Sequence, residues 1–143
     1  MFDPNRLPSI SAVEARARVE AGGVSADATA GGGPAAGGPG RGDAAAPLLV
    51  DVREPHEFIR IRADGAASMP LSVFVQRYRE LPSDRSLLLI CQTGARSAQA
   101  TAFLLGNGWS DVTNVAGGTQ AWALAGLPVR RGTPDPGEGD LPG

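Results

Sequence analysis

Hydrophobic positions along the 143-residue chain fall into short continuous runs, and the segments between them carry apolar residues at helical spacing. Leu48-Leu49-Val50-Asp51-Val52 and Leu87-Leu88-Leu89-Ile90 are too short for helices and too continuous for half-exposed strands, so they predict strands covered on both faces. Leu87 to Ile90 is the more apolar run and is expected at the sheet centre. Val112-Thr113-Asn114-Val115 is a third strand candidate.

Helical signals fill the gaps. Ser11-Ala12-Val13-Glu14 fits a capping box, whose hydroxyl and carboxylate satisfy free amides, ahead of a helix from Ala12 to Ala21 that should stop at Gly22-Gly23. Arg53 to Phe58 reads as a turn into a short helix, with Pro55 suited to its first turn. Ser72 can cap a helix from Val73 to Glu80, and Pro82-Ser83-Asp84 then makes a turn. Ala98, Ala102 and Leu105 share one face of a helix from Arg96 to Leu105, which Gly106 and Gly108 end. Gly117-Gly118 turns the chain into a last helix, Thr119 to Ala125, closed by Gly126. Strands alternating with helices predict an α/β fold, a small parallel sheet flanked by helices on both faces.

Composition divides this pattern. Between Gly22 and Pro47 all but six residues are Gly, Ala or Pro, and Val24 is the one large aliphatic. Such a stretch buries too little apolar area to offset its ordering entropy. Residues 22–47 are therefore expected to be a disordered insertion. The capped helix within 1–21 should belong to the domain, 48–129 should form its body, and the Pro- and Gly-rich tail 130–143 should be disordered. The length suits one domain.

Thirteen Lys plus Arg against fifteen Asp plus Glu leave a net charge of -2, which gives no general attraction for nucleic acid or anionic lipid. Met1-Phe2-Asp3-Pro4-Asn5-Arg6 lacks a basic region followed by an apolar run, and no stretch reaches the length of a membrane span, so a cytoplasmic location is expected. With one cysteine, Cys91, and one histidine, His56, an internal disulfide and a Cys/His zinc site are both excluded. Neither a metal nor a cofactor is implied.

Taken alone, Cys91 would read as a small buried hydrophobe. Its position changes that reading. Cys91-Gln92-Thr93-Gly94-Ala95-Arg96-Ser97 sits where the most buried strand ends and a helix begins. A loop curling into a helix start aims several backbone N–H groups at one point and stabilises an anion there. A thiolate is such an anion, so the thiol should ionise more readily. Gly94 permits a tight, left-handed turn. Arg96 adds a planar donor fork suited to an anionic oxygen, and Ser97 is expected to cap the helix.

The pattern strand-Cys-x-x-Gly-x-Arg-Ser-helix resembles the active-site loop of single-domain rhodanese-like sulfurtransferases. Two further segments resemble the same family: Asp51-Val52-Arg53-Glu54-Pro55-His56-Glu57-Phe58, and Val115-Ala116-Gly117-Gly118 with Ala121-Trp122 and Gly126-Leu127-Pro128-Val129. The resemblance covers the capped helix and Leu48 to Val129. Where the family has Gly-His-Ile-Pro-Gly-Ala, this chain has Ile61-Arg62-Ala63-Asp64-Gly65-Ala66, a departure that should loosen the turn beside the site or alter what docks there.

The resemblance implies that Cys91 takes a sulfane sulfur from thiosulfate or a persulfide donor. Backbone amides of Gln92, Thr93, Gly94, Ala95, Arg96 and Ser97 would hold it, and an external thiol, cyanide or protein acceptor would remove it. The loop from Cys91 through Arg96 has the length that the family matches to sulfur, and related phosphatases use one residue more. Alternatives from other classes are a persulfide carrier or interaction module with little turnover, and a cysteine phosphatase or arsenate reductase.

Other polar and aromatic positions have plainer readings. Asp51 and Arg53 suit an ion pair or turn bonds, His56 a solvated surface place, and Trp109 and Trp122 core packing. Gly117-Gly118 suits a tight turn.

Overall fold

The apolar runs form strands because each must bury both faces, and the helices that cover those faces come from the segments between them. The computed structural model describes residues 7–24 and 46–142. In chain order the elements are β1 (Ser9–Ile10), α1 (Ala12–Val24), β2 (Leu48–Asp51), α2 (Pro55–Arg60), β3 (Arg62–Ala63), β4 (Ala67–Ser68), α3 (Leu71–Arg77) with a 3-10 turn (Tyr78–Glu80), β5 (Leu87–Ile90), α4 (Ala95–Leu105), β6 (Val112–Val115), α5 (Gly118–Leu124) and β7 (Val129–Arg130).

Five strands form a parallel sheet in the order β1-β6-β5-β2-β4, with β5 at its centre as its sequence predicts. Side chains alternate across it. Leu87, Leu89 and Cys91 face a core with Phe74, Tyr78 and Leu104 from the α3 and α4 side. Leu88 and Ile90 face the opposite core with Ala12, Ala15, Phe58 and Trp122 from α1, α2 and α5. Both tryptophans pack as expected: Trp122 is buried and donates to Pro128 O at 2.6 Å, and Trp109 lies against Tyr78. His56 is exposed on α2.

Several local expectations are corrected. α1 continues through Gly22-Gly23 to Val24. Glycine weakens a helix interior by about 1 kcal/mol per residue without forcing an end. Ser72 does not cap α3; Pro70 occupies the cap, and the Ser72 hydroxyl donates instead to Glu54 Oε1 at 2.7 Å. The strands β1, β3, β4 and β7 were not expected, and β3 pairs antiparallel with β7 in a separate two-stranded ribbon. Most of the expected insertion over 22–47 lies outside the described residues. Beside its end, Arg85 Nε donates to Ala46 O at 2.6 Å.

The tail expected to be disordered is instead bound to the body. Gly132 N–H donates to Ile59 O at 2.7 Å and Ser68 N–H to Gly139 O at 2.7 Å. Arg62, only 1 % exposed, grips Glu138 with Nε at 2.6 Å and Nη2 at 3.0 Å, while Nη1 donates to Phe58 O at 3.0 Å and Gly132 O at 2.8 Å. This ion pair holds the Glu138 carboxyl at a pKa of about 2, aided by the Asp135 backbone N–H and opposed by desolvation. Composition missed the tail because it measures apolar area, whereas this segment is held by backbone hydrogen bonds and one charge pair. Arg62 stands where the family segment has histidine, so the turn expected to loosen is pinned by a different partner. No helix among the described residues is long and apolar enough to cross a membrane.

Candidate active site

Cys91 follows the last residue of β5 and is 1 % exposed, at the end of the sheet where the loops after β2 and β6 also converge. The loop closes because Gly94 takes φ 105°, a left-handed conformation costly for any other residue, and becomes the N-cap of α4. A Cβ at Gly94 would also stand 3.1 Å from Gly117 N, so glycine is required there by space as well as by torsion. The turn aims the Gly94 N–H at the sulfur, at 3.1 Å from Cys91 Sγ.

Ser97 is not the helix cap that its position suggested. It is the third residue of α4, fully buried, with its hydroxyl oxygen 3.4 Å from Cys91 Sγ. Desolvation pushes the thiol pKa up. The Ser97 hydroxyl and the backbone amides of Ser97, Gly94 and Thr93 pull the other way and together leave it below the ordinary thiol value. Of the six loop positions after Cys91, three thus act on the sulfur. Thr93 and Ala95 have exposed side chains. The Gln92 side chain turns away and accepts from Arg53 Nη1 at 3.3 Å.

Arg96 is taken up in part by the protein itself. Its Nη1 and Nη2 donate to the two carboxylate oxygens of Glu57 on α2, each at 2.8 Å. That fork lowers the Glu57 pKa to about 2 against the opposing desolvation, with help from the Glu54 backbone N–H, and raises that of Arg96. Glu57 also completes a capping box with Glu54. The pair therefore holds α2 against the loop, and Glu57 is a site residue that the sequence reading passed over.

Asp51 and Arg53 form the buried ion pair expected of them, 0 % and 1 % exposed. Arg53 Nη2 reaches Asp51 Oδ2 at 2.8 Å and Ile61 O at 2.5 Å, so one guanidinium ties the ends of β2, α2 and the cysteine loop. A fully bonded arginine of this kind fixes geometry, and removing its partner would leave a buried charge.

Gly117-Gly118 does more than turn the chain. At Gly118 a Cβ would stand 2.4 Å from Cys91 O and 2.6 Å from Gln92 O, so a side chain is excluded where the two loops meet. The space is used by hydrogen bonds: Thr119 N–H donates to Cys91 O at 2.7 Å and Gln120 N–H to Gln92 O at 3.0 Å. Asn114 of β6, 5 % exposed, has its Oδ1 2.5 Å from the Ser97 hydroxyl. A mid-strand asparagine beside the cysteine strand was the available signal, and its partner could not be read without the register of β6 on β5.

A family model described as a rhodanese-like domain matches residues 40–125. A sulfurtransferase of Allochromatium vinosum is 42% identical over 82 residues, which span 57% of this chain and 77% of that protein. The thiosulfate sulfurtransferase GlpE of Vibrio cholerae is 33% identical over 81 residues, 57% of this chain and 76% of that protein. Among solved structures, that of a rhodanese-related protein from Thermoplasma volcanium superposes with a TM-score of 0.65 at 27% identity, covering 86% of this chain and 97% of that one.

Proposed function

Since this chain belongs to the rhodanese-like domain family, we propose that it carries sulfane sulfur from thiosulfate or a persulfide donor to an external acceptor through a persulfide on Cys91. Sulfurtransferase activity in general is supported by relatives that bear that name. The observation that carries the finer reading is the sulfur itself: Cys91 Sγ ends the central strand with the Gly94 N–H at 3.1 Å and the Ser97 hydroxyl at 3.4 Å. Those donors favour the thiolate, the nucleophilic form.

In the proposed first step the thiolate attacks the outer sulfur of thiosulfate. An S–S bond forms on Cys91, the donor's S–S bond breaks, and its electron pair leaves with sulfite. The terminal sulfur carries the negative charge and stays within reach of the loop amides. Cyanide or a thiolate then attacks that sulfur, leaving as thiocyanate or a new persulfide and returning Cys91 to its thiolate. Because the chain has one cysteine, no internal disulfide can discharge the persulfide and the acceptor must come from outside. Abundant low-molecular-weight thiols favour a cytoplasmic setting for that second step.

Arg96 keeps three N–H groups beyond the two that Glu57 takes, enough to orient the sulfonate oxygens of a donor. The loop from Cys91 through Arg96, one residue shorter than that of related phosphatases, supports sulfur over phosphate or arsenate. Thiocyanate release from thiosulfate and cyanide, measured for the wild-type chain and for Cys91→Ser, tests the reading: transfer should vanish in the variant, and retained transfer would sink the assignment. Intact-mass measurement after donor treatment should add one sulfur to the wild type and none to the variant. Turnover of aryl phosphate or arsenate in place of thiosulfate would move the protein to the phosphatase class.

A further inference from the structure

The Ser97 hydroxyl faces more acceptors than it can serve. Its oxygen lies 3.4 Å from Cys91 Sγ, 3.3 Å from Gly94 O and 2.5 Å from Asn114 Oδ1. A hydroxyl has one proton, and the shortest of these contacts takes it. With Asn114 Oδ1 toward Ser97 at 2.5 Å, the hydroxyl is drawn to the amide and its longer contact to the sulfur, 3.4 Å, is weakened. The far end of the same amide meets a second hydroxyl, as Asn114 Nδ2 donates to Ser9 Oγ on β1 at 3.2 Å.

Both neighbours of Asn114 are therefore serine hydroxyls, which donate or accept equally well. Turning the amide by half a revolution keeps every bond: Nδ2 would donate to Ser97 Oγ, and Ser9 would donate to Oδ1. In that orientation the Ser97 proton is released toward the sulfur, since Gly94 O at 3.3 Å is distant for an oxygen acceptor and already accepts from the Ala98 N–H. The two orientations differ by one hydrogen bond to Cys91, worth more to a charged sulfur than to a neutral thiol. Ser97 and Asn114 are nearly inaccessible to solvent, so water does not level the difference.

We propose that Asn114 is a positioning residue whose amide orientation directs the Ser97 hydroxyl toward or away from Cys91 and so sets the stability of anionic sulfur there. This deepens the sulfur-transfer reading and rests on it for its purpose: the same relay would answer thiolate and persulfide as each forms.

The single cysteine makes the test direct, since iodoacetamide alkylation of the full chain reports one thiol. Asn114→Leu removes the acceptor and frees the Ser97 proton, so the pH midpoint of alkylation should fall by about half a unit. In a Ser97→Ala background the same substitution should leave the midpoint where Ser97→Ala alone puts it. An equal shift in both backgrounds, or none in either, would overturn the proposal. If Asn114→Leu does not fold, Asn114→Asp serves: an acceptor-only side chain should raise the midpoint more with Ser97 present than without it, and equal rises would count against the relay. Alkylation reads the thiol whether or not sulfur moves. A protein that passes this test but takes up no sulfur on Cys91 from thiosulfate or a persulfide donor would uphold the relay and overturn sulfur transfer.

Discussion

Two strand-to-helix turns lie side by side at the same end of the sheet, one after β5 and one after β6, and they are built almost alike. Each has a left-handed glycine as helix N-cap, Gly94 at φ 105° and Gly117 at φ 79°. Each closes its first helical bond at 3.0 Å, Ala98 N–H to Gly94 O and Ala121 N–H to Gly117 O. They differ in what fills them. The second turn spends its Thr119 and Gln120 amides on the carbonyls of Cys91 and Gln92, while the first keeps its amides for the sulfur. A helix start becomes a site when nothing internal occupies it, and here the neighbouring turn makes that possible by bracing the loop from behind.

Breaking the brace should have the largest effect. Gly118→Ala adds a Cβ 2.4 Å from Cys91 O at a residue with φ 59°, so backbone must move; we expect a loss of about 2–4 kcal/mol in urea unfolding and slower Cys91 alkylation at neutral pH. Gly94→Ala meets Gly117 N at 3.1 Å with φ 105°. It should cost about 1–3 kcal/mol, and because it displaces the amide that faces the sulfur, its alkylation midpoint should rise even where the fold survives. Thiocyanate release at wild-type rate in Gly94→Ala would show that this turn is no more specialised than its twin.

The smallest effect concerns the charged tie that only the first turn has. Thr119 occupies on α5 the helix position that Arg96 occupies on α4, and Arg96 is locked to Glu57. The Glu57 carboxyl sits at about 2 when folded against an ordinary 4.5. Its pKa is depressed, so its stabilisation is complete above about pH 4.5 and lost as pH falls toward 2. Glu57→Gln should therefore flatten the acid limb of stability between those values, with less than about 1 kcal/mol lost at neutral pH because the pair is partly solvated. Thermal unfolding followed across that range checks the sign, and an unchanged acid limb would detach Glu57 from the loop's stability.

How far the sequence disclosed this arrangement depends on distance along the chain. Leu87 to Ile90 announced a central strand because four apolar residues between turn signals have few other uses, and Gly94 announced a left-handed turn. Strands of two residues such as β1 and β7 carry no period and could not be read. Glu57 and Arg96 are thirty-nine positions apart, and Ser97 and Asn114 seventeen, so their contacts exist only once β2, β5 and β6 are in register. Ser72 and Ser97 each looked like a cap by local spacing. Tertiary partners, Glu54 for one and Asn114 for the other, took their hydroxyls.

The grip of Arg62 on Glu138 bears on where this domain can be cut. The family match ends at residue 125, and a fragment trimmed to that boundary would look complete by similarity. Such a fragment would leave a guanidinium that is 1 % exposed in the intact fold without its carboxylate, uncover the ring of Phe58 where Gly139 lies on it, and open the Ser68 amide to solvent. A homology boundary and a folding boundary differ here by more than a dozen residues, so a transplanted or fused copy needs its last proline-rich stretch to hold its shape.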